Sequence, residues 1–206
     1  MEELAACKKR QNVELEICEK YDHQKTAWKR IKAASRGPDM NLANLSGLSD
    51  AILCHVATMT QLKSVCLYKS SGFSAEGIKH LYRLPRLEKL SFHNTDVSDN
   101  ALEGIGSLTR LKELYLNRTK VTDAGLLLLT ALPSLELLGI FGCKGVSNAG
   151  MVHVGRLTGL TRLDLGSTAV TDDGLQQLTA LTKLTTLQLP NGIYVPYVAA
   201  RRWIGR

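Results

Sequence analysis

Three stretches decide how this chain is read: "DVSDNALEGI" at residues 96–105, "KVTDAGLLLL" at 120–129 and "AVTDDGLQQL" at 169–178. Each pairs Val-Ser/Thr-Asp with a following apolar run, and each follows an L-x-x-L-x-L opening. The first leucines of those openings fall at Leu62, Leu87, Leu111, Leu135, Leu160 and Leu184, at steps of 24 or 25 residues. Self-similarity at a fixed period in this range marks a stacked-repeat architecture, in which no unit can bury its apolar face alone.

One unit can be read physically. Leu111, Leu114 and Leu116 alternate as a short strand would, with the apolar side inward. The ninth position holds Ser70, Thr95, Thr119, Cys143 and Thr168. A hydroxyl turned inward there can bond backbone groups that would otherwise be buried without partners. The Ser/Thr-Asp pairs at Ser98-Asp99, Thr122-Asp123 and Thr171-Asp172 read as N-caps that start a helix. Leu126, Leu129 and Leu132, and again Leu175, Leu178 and Leu181, return along that helix at three-residue spacing. The expected product is a right-handed α/β solenoid with a parallel sheet on its concave side and short helices on its convex side.

The L-x-x-L-x-L opening, the small polar ninth residue and the Val-Thr-Asp-x-Gly-Leu second half resemble the leucine-rich repeat family. The last element is similar to the cysteine-containing repeats of F-box-associated intracellular proteins. The resemblance covers roughly residues 42–190, and it implies binding rather than a particular partner. Within the array, "GLSDAILCHVATMTQ" (47–61) matches only the second half of a unit, so the array is expected to open on a partial repeat. The sixth unit begins "LTTLQLPNG" and then departs from the pattern.

Three segments follow: an amphipathic helical segment over 1–37, the solenoid over 38–192 and a C-terminal cap over 193–206. Val13, Ile17, Tyr21, Trp28 and Ile31 share one helical stripe, suited to covering the first repeat or to docking a partner. Ile193, Val195, Val198, Trp203 and Ile204 would cover the last strand. The formal net charge is +7, and it is concentrated in the first 37 and last six residues, leaving a nearly neutral body. Lys29, Arg30, Lys32, Arg201 and Arg202 are therefore the candidates for an anionic contact, although nucleic acid is not the favoured partner.

The five cysteines are odd in number and lack C-x-x-C spacing, which argues against a secreted disulfide framework. The charged N-terminus does not read as a signal peptide, and no apolar run approaches a membrane span. An intracellular, cytoplasmic protein is expected. No nucleophile, metal-ligand or phosphate-loop spacing is found, so no enzyme, cofactor or metal is expected. Cys66 and His93 lie on adjacent strands, but their pairing is a weak catalytic reading.

Strand positions three, five, seven and eight should face outward on the concave side. They display Tyr68, His93, Tyr115, Arg118, Leu137 and Phe141. Aromatics with a central arginine are the usual composition of a protein-binding hot spot. Units five and six offer smaller, more polar side chains, which biases the expected footprint toward the N-terminal two-thirds. The leading expectation is a non-catalytic module that binds a protein partner on this face. The alternatives are a structural subunit of a larger assembly, such as a ribonucleoprotein, and a ubiquitin-ligase substrate receptor. The latter needs an F-box, which the short, charged segment 1–41 does not resemble.

Overall fold

In the computed structural model the described residues are 22–34, 36–192 and 194–196. Helix α1 (Asp22–Ala34) is followed by β1 (Asp39–Asn41), α2 (Asp50–Val56), β2 (Ser64–Cys66), α3 (Ala75–Leu81) and β3 (Lys89–Ser91). Two 3₁₀ turns, Asp99–Leu102 and Ile105–Ser107, then stand where a helix would be. The chain continues through β4 (Glu113–Tyr115), α4 (Asp123–Leu129), β5 (Leu137–Gly139), α5 (Asn148–Val154), β6 (Arg162–Asp164), α6 (Asp172–Leu175), β7 (Thr186–Gln188) and β8 (Tyr194–Pro196). The sheet runs β1 to β8 in chain order, parallel through β7, with β8 antiparallel on the end. This is the expected solenoid.

The register is constant. Met40, Val65, Leu90, Leu114, Leu138, Leu163 and Leu187 form one inward row across β1–β7. Every member of that row is at most 2% exposed. Leu126, Leu129 and Leu175 on the helices, with Leu132, Leu178 and Leu181 in the turns that follow them, close the core from the other side. Each fully buried leucine contributes roughly 1.5–3 kcal/mol, so the repeated leucines are the main source of stability.

The ninth-position reading holds at atomic level. Thr95, Thr119 and Thr168 donate through Oγ1 to the carbonyls of Phe92, Leu116 and Leu165, at 2.6, 2.6 and 2.7 Å. Ser70 Oγ donates to Leu42 O at 2.6 Å and accepts from Leu45 N at 3.1 Å, tying two units together. Cys143 Sγ reaches Leu116 O at 3.0 Å, and burial pushes its thiol up.

The Ser/Thr-Asp pair divides its labour differently from the expectation. Ser49, Ser74, Thr122 and Ser147 cap their own helices through the side-chain oxygen. The aspartate instead reaches into the next unit. Asp50 accepts from the N–H and hydroxyl of Ser74 at 2.7 and 2.6 Å. Asp99 does the same for Thr122 at 2.9 and 2.6 Å, and Asp123 for Ser147 at 2.8 and 2.6 Å. Asn148 continues the series onto Thr171. Ser98 and Thr171 make no side-chain cap bond; the Ser98 hydroxyl donates to Asn100 Oδ1 and the Thr171 hydroxyl accepts from Asn148 Nδ2.

This ladder explains the glycine of T-D-x-G. A Cβ on Gly77, Gly125, Gly150 or Gly174 would stand 2.1–2.4 Å from the Asp or Asn oxygen of the preceding unit. The ladder breaks once. Ala75 occupies the aspartate position, and in the following unit Ala101 occupies the glycine position. Ser98 then turns to Asn100, the helix tightens to 3₁₀, and a cleft of about 250 Å³ opens between residues 70–75 and 96–101.

The array does not open on a partial repeat. Residues 39–41 supply a strand, with Met40 where later units carry Val or Leu. Helix α1 covers this first unit: Ala27 and Ile31 are buried, the Trp28 ring lies 5.0 Å from His55, and Arg30 Nη1 donates to Ala43 O at 2.6 Å. At the other end β8 pairs with β7 in the place expected of a cap, with Val195 opposite Leu187. Val13, Ile17, Tyr21, Ile193, Val198, Arg201, Arg202, Trp203 and Ile204 lie outside the described residues. Cys66 and Cys143 are free thiols, whereas Cys54 is disulfide-bonded. No described helix is long and apolar enough to cross a membrane.

Candidate functional site: the concave face

Three outward rows follow from the register. Row three runs Ser64, Lys89, Glu113, Leu137, Arg162, Thr186, and row five runs Cys66, Ser91, Tyr115, Gly139, Asp164, Gln188. Row seven, just past the strands, carries Tyr68, His93, Asn117, Phe141 and Gly166. Tyr68 and His93 meet edge to face with ring centroids 4.9 Å apart, a favoured aromatic geometry. Asn117 is buried: its Oδ1 accepts from Phe141 N at 2.9 Å, and it occupies the space a side chain on Gly139 would need. Cys66 pairs across the sheet with Ser91 rather than with His93.

Row eight has its own backbone. Asn44, Lys69, Asn94, Arg118 and Ser167 have φ between 52° and 58°, and Gly142 has φ 72°. The left-handed turn at this position reverses the chain out of each strand. Its N–H still reaches the next unit: Lys69 N bonds His93 O at 3.0 Å and Arg118 N bonds Phe141 O at 2.6 Å. Glycine and asparagine tolerate this conformation, whereas other residues pay roughly 1–2 kcal/mol.

Of the residues expected to form a patch, Tyr68, His93, Tyr115 and Phe141 are half-buried and Arg118 is exposed, all on the outward rows. Leu137 is a correction to the open patch, being only 8% exposed. It sits between Glu113 and Arg162 in row three, and those two approach to 3.8 Å across its strand. Lys29 and Lys32 are exposed on α1, while Arg30 is committed to Ala43. Arg201 and Arg202 belong to the undescribed C-terminus.

The electrostatics are uneven. Glu113 receives Lys89 at 3.0 Å and the Tyr115 hydroxyl at 2.9 Å. Burial opposes ionisation of Glu113, but those two bonds outweigh it and hold the carboxyl below its usual range. Burial raises Tyr115, and the bond to Glu113 adds to the effect. His93 is held below the ordinary imidazole value by burial first, and then by the positive charges of Arg118 and Lys69. Three cations lie over rings: Lys69 over Tyr68 at 5.3 Å, Lys89 over Tyr115 at 5.1 Å and Arg118 over Phe141 at 5.4 Å. Such contacts at exposed sites contribute about 0.5–1 kcal/mol and orient the cation.

Sequence reasoning missed the depression beside Tyr115. An opening of about 160 Å³ lies beside Gly139, edged by Tyr115, Leu137, Arg162 and Asp164. Burial raises the Asp164 carboxyl. The signal was available, since a glycine in row five stands among larger residues. Among the described residues, no group of three His, Cys, Asp or Glu side chains is placed to hold a metal ion.

No protein-family model matches this chain, and no curated protein matches it. Solved structures do. The internalin InlF of Listeria monocytogenes aligns with a TM-score of 0.56 at 26% identity over 67% of this chain. That alignment spans 38% of the InlF chain. Internalin C2 of the same organism aligns with a TM-score of 0.62 at 21% identity, over 77% of this chain and 70% of its own. The likeness extends to architecture: this chain has the leucine-rich repeat fold.

Proposed function

We propose that this chain is a non-catalytic protein-interaction module that takes one protein partner on its concave face. The observation that carries the reading is the outward aromatic group, Tyr68 against His93 with Tyr115 and Phe141 beyond it, on strands held from the inside by leucines. The fold does not need aromatic residues there. Half-buried aromatics flanked by cations are the composition of interface anchors, and solenoids of this type use their extended concave surface for binding.

Affinity capture from native extract, followed by titration of the captured partner against variants, tests this. Tyr115→Ala or Phe141→Ala should weaken affinity by roughly 2 kcal/mol, about thirtyfold, with little change in thermal stability. Gln176→Ala and Gln177→Ala, on the convex side, should leave affinity unchanged. A partner that binds the Tyr115/Phe141 double variant as tightly as wild type removes the concave face as the site.

A further inference from the structure

We infer that the partner surface read by this face is acidic, presenting carboxylates to Lys69 and Arg118 in row eight. The inference rests on the proposed concave-face binding and adds the chemistry of what is bound.

The cations on the sheet fall into two groups. At the strand-entry side each is matched by an acid: Lys112 with Glu88 at 2.9 Å, Lys89 with Glu113 at 3.0 Å, Arg162 with Glu113 at 3.8 Å and Lys63 with Glu88 at 3.9 Å. At the strand-exit side the pattern changes. Rows seven and eight contain no Asp or Glu from Ala43 and Asn44 through to Pro190 and Asn191. Among the described residues neither Lys69 nor Arg118 makes an ion pair, and both are exposed. Lys144, close by, spends its ammonium on the Ser167 carbonyl.

A second observation is independent of charge. Row eight is left-handed in these units, and Asn44, Asn94 and Gly142 are the inexpensive solutions. Lys69 and Arg118 hold the same conformation with φ 52° and 54°. Two long cations kept where the backbone disfavours them, each laid on an aromatic ring, are poorly explained by stability. They sit two strands apart, roughly 10 Å at the usual strand spacing. Two carboxylates on a short peptide segment can span that distance, with the Tyr68–His93 pair between them. A polyanion laid across the whole face would instead meet Glu113 and Asp164, so an acidic peptide segment fits better than nucleic acid.

Selection of random twelve-residue peptides on the immobilised full-length chain tests this. The recovered pool should be enriched at least twofold in Asp and Glu over the starting pool. Lys69→Glu with Arg118→Glu should abolish that enrichment and favour Lys and Arg. The same charge reversal at the acid-paired Lys63 and Lys112 should leave the pool acidic. The milder Lys69→Gln/Arg118→Gln variant, checked for an unchanged melting temperature, should weaken a selected acidic peptide at least tenfold. A pool without acidic enrichment, or one that follows Lys63 and Lys112 instead, overturns the inference. Tight, salt-sensitive binding of a labelled U12 RNA that is lost with Lys69 and Arg118 overturns it in favour of nucleic acid. A captured protein that needs Tyr115 and Phe141 but ignores Lys69 and Arg118 would refute the acidic partner while leaving concave-face binding in place.

Discussion

Restoring the missing rung of the aspartate ladder should stabilise the chain only when two residues change together. Ala75→Asp would place a carboxylate beside Ser98, as Asp99 stands beside Thr122. In the four intact rungs a Cβ in the following unit would lie 2.1–2.4 Å from the Asp or Asn oxygen. Ala101, which is 2% exposed, carries such a Cβ. The single Ala75→Asp variant therefore cannot close its bonds and should be neutral or worse. Ala101→Gly alone gives up a buried methyl and gains backbone freedom, costing roughly 0.5–1 kcal/mol. Together they permit two charge-assisted bonds, to the Ser98 amide and hydroxyl, contributing about 1.5–3 kcal/mol. The expected coupling is thus on the order of 2 kcal/mol. At this chain length that corresponds to some degrees in melting temperature, at about 2–4 °C per kcal/mol. Thermal melting followed by circular dichroism, on the wild type, both singles and the double, measures it. Additivity within about 0.5 kcal/mol would refute the steric account of the T-D-x-G motif.

Thr119→Val should cost about 1 kcal/mol, seen as a lower melting temperature, because it leaves Leu116 O without its 2.6 Å hydroxyl donor. For His93 the folded pKa lies below the unfolded value, so the unfolded chain takes up its proton first as pH falls. The contribution is complete above the unfolded pKa, about 6.5, and is lost as pH drops toward the folded value. Imidazole NMR titration should give a His93 midpoint below that of a free histidine, and Arg118→Gln should raise it without moving His55, which is lowered by burial alone. Deleting residues 193–206 removes β8 and bares the β7 edge. The truncated chain should melt lower and aggregate in light scattering; an equally stable, monodisperse product would show that β8 is dispensable.

The solenoid could be read from Leu62 to Leu184 because each leucine reports burial directly and the period repeats it. Strand β1 escaped because Gly37 and Met40 replace two of the leucines that announce a unit. The role of Asp99 and Asp123 escaped for a different reason. Single-unit reasoning assigns an aspartate after Thr to its own helix, and only the stacking of units shows that its bonds run to Thr122 and Ser147. The matched exchange of Ala75 and Ala101 was nevertheless written in the sequence, since both positions depart from their repeat consensus. On the concave face the outward rows were legible from alternation. The burial of Leu137 was not, because it depends on Glu113 and Arg162 converging from neighbouring strands. The left-handed row had a visible sign in Asn44, Asn94 and Gly142, but Lys69 and Arg118 obscured it.

The backbone bonds that leave rows six and eight give this surface an unequal vocabulary. Leu67 N to Ser91 O, Lys69 N to His93 O, Phe92 N to Tyr115 O and Asn94 N to Asn117 O are all main chain to main chain. The side chains of Tyr68, His93 and Phe141 can therefore be exchanged in row seven without touching a bond that joins two units, whereas Asn117 cannot, because its Oδ1 accepts from Phe141 N. Row eight joins its units in the same way but demands a left-handed residue, and β-branched side chains are poorly admitted there. A designer, or natural variation, can thus rewrite Tyr68, His93 and Phe141 freely, whereas the neighbouring column accepts only a short alphabet. New specificities should accumulate in the first column and retuning of charge in the second.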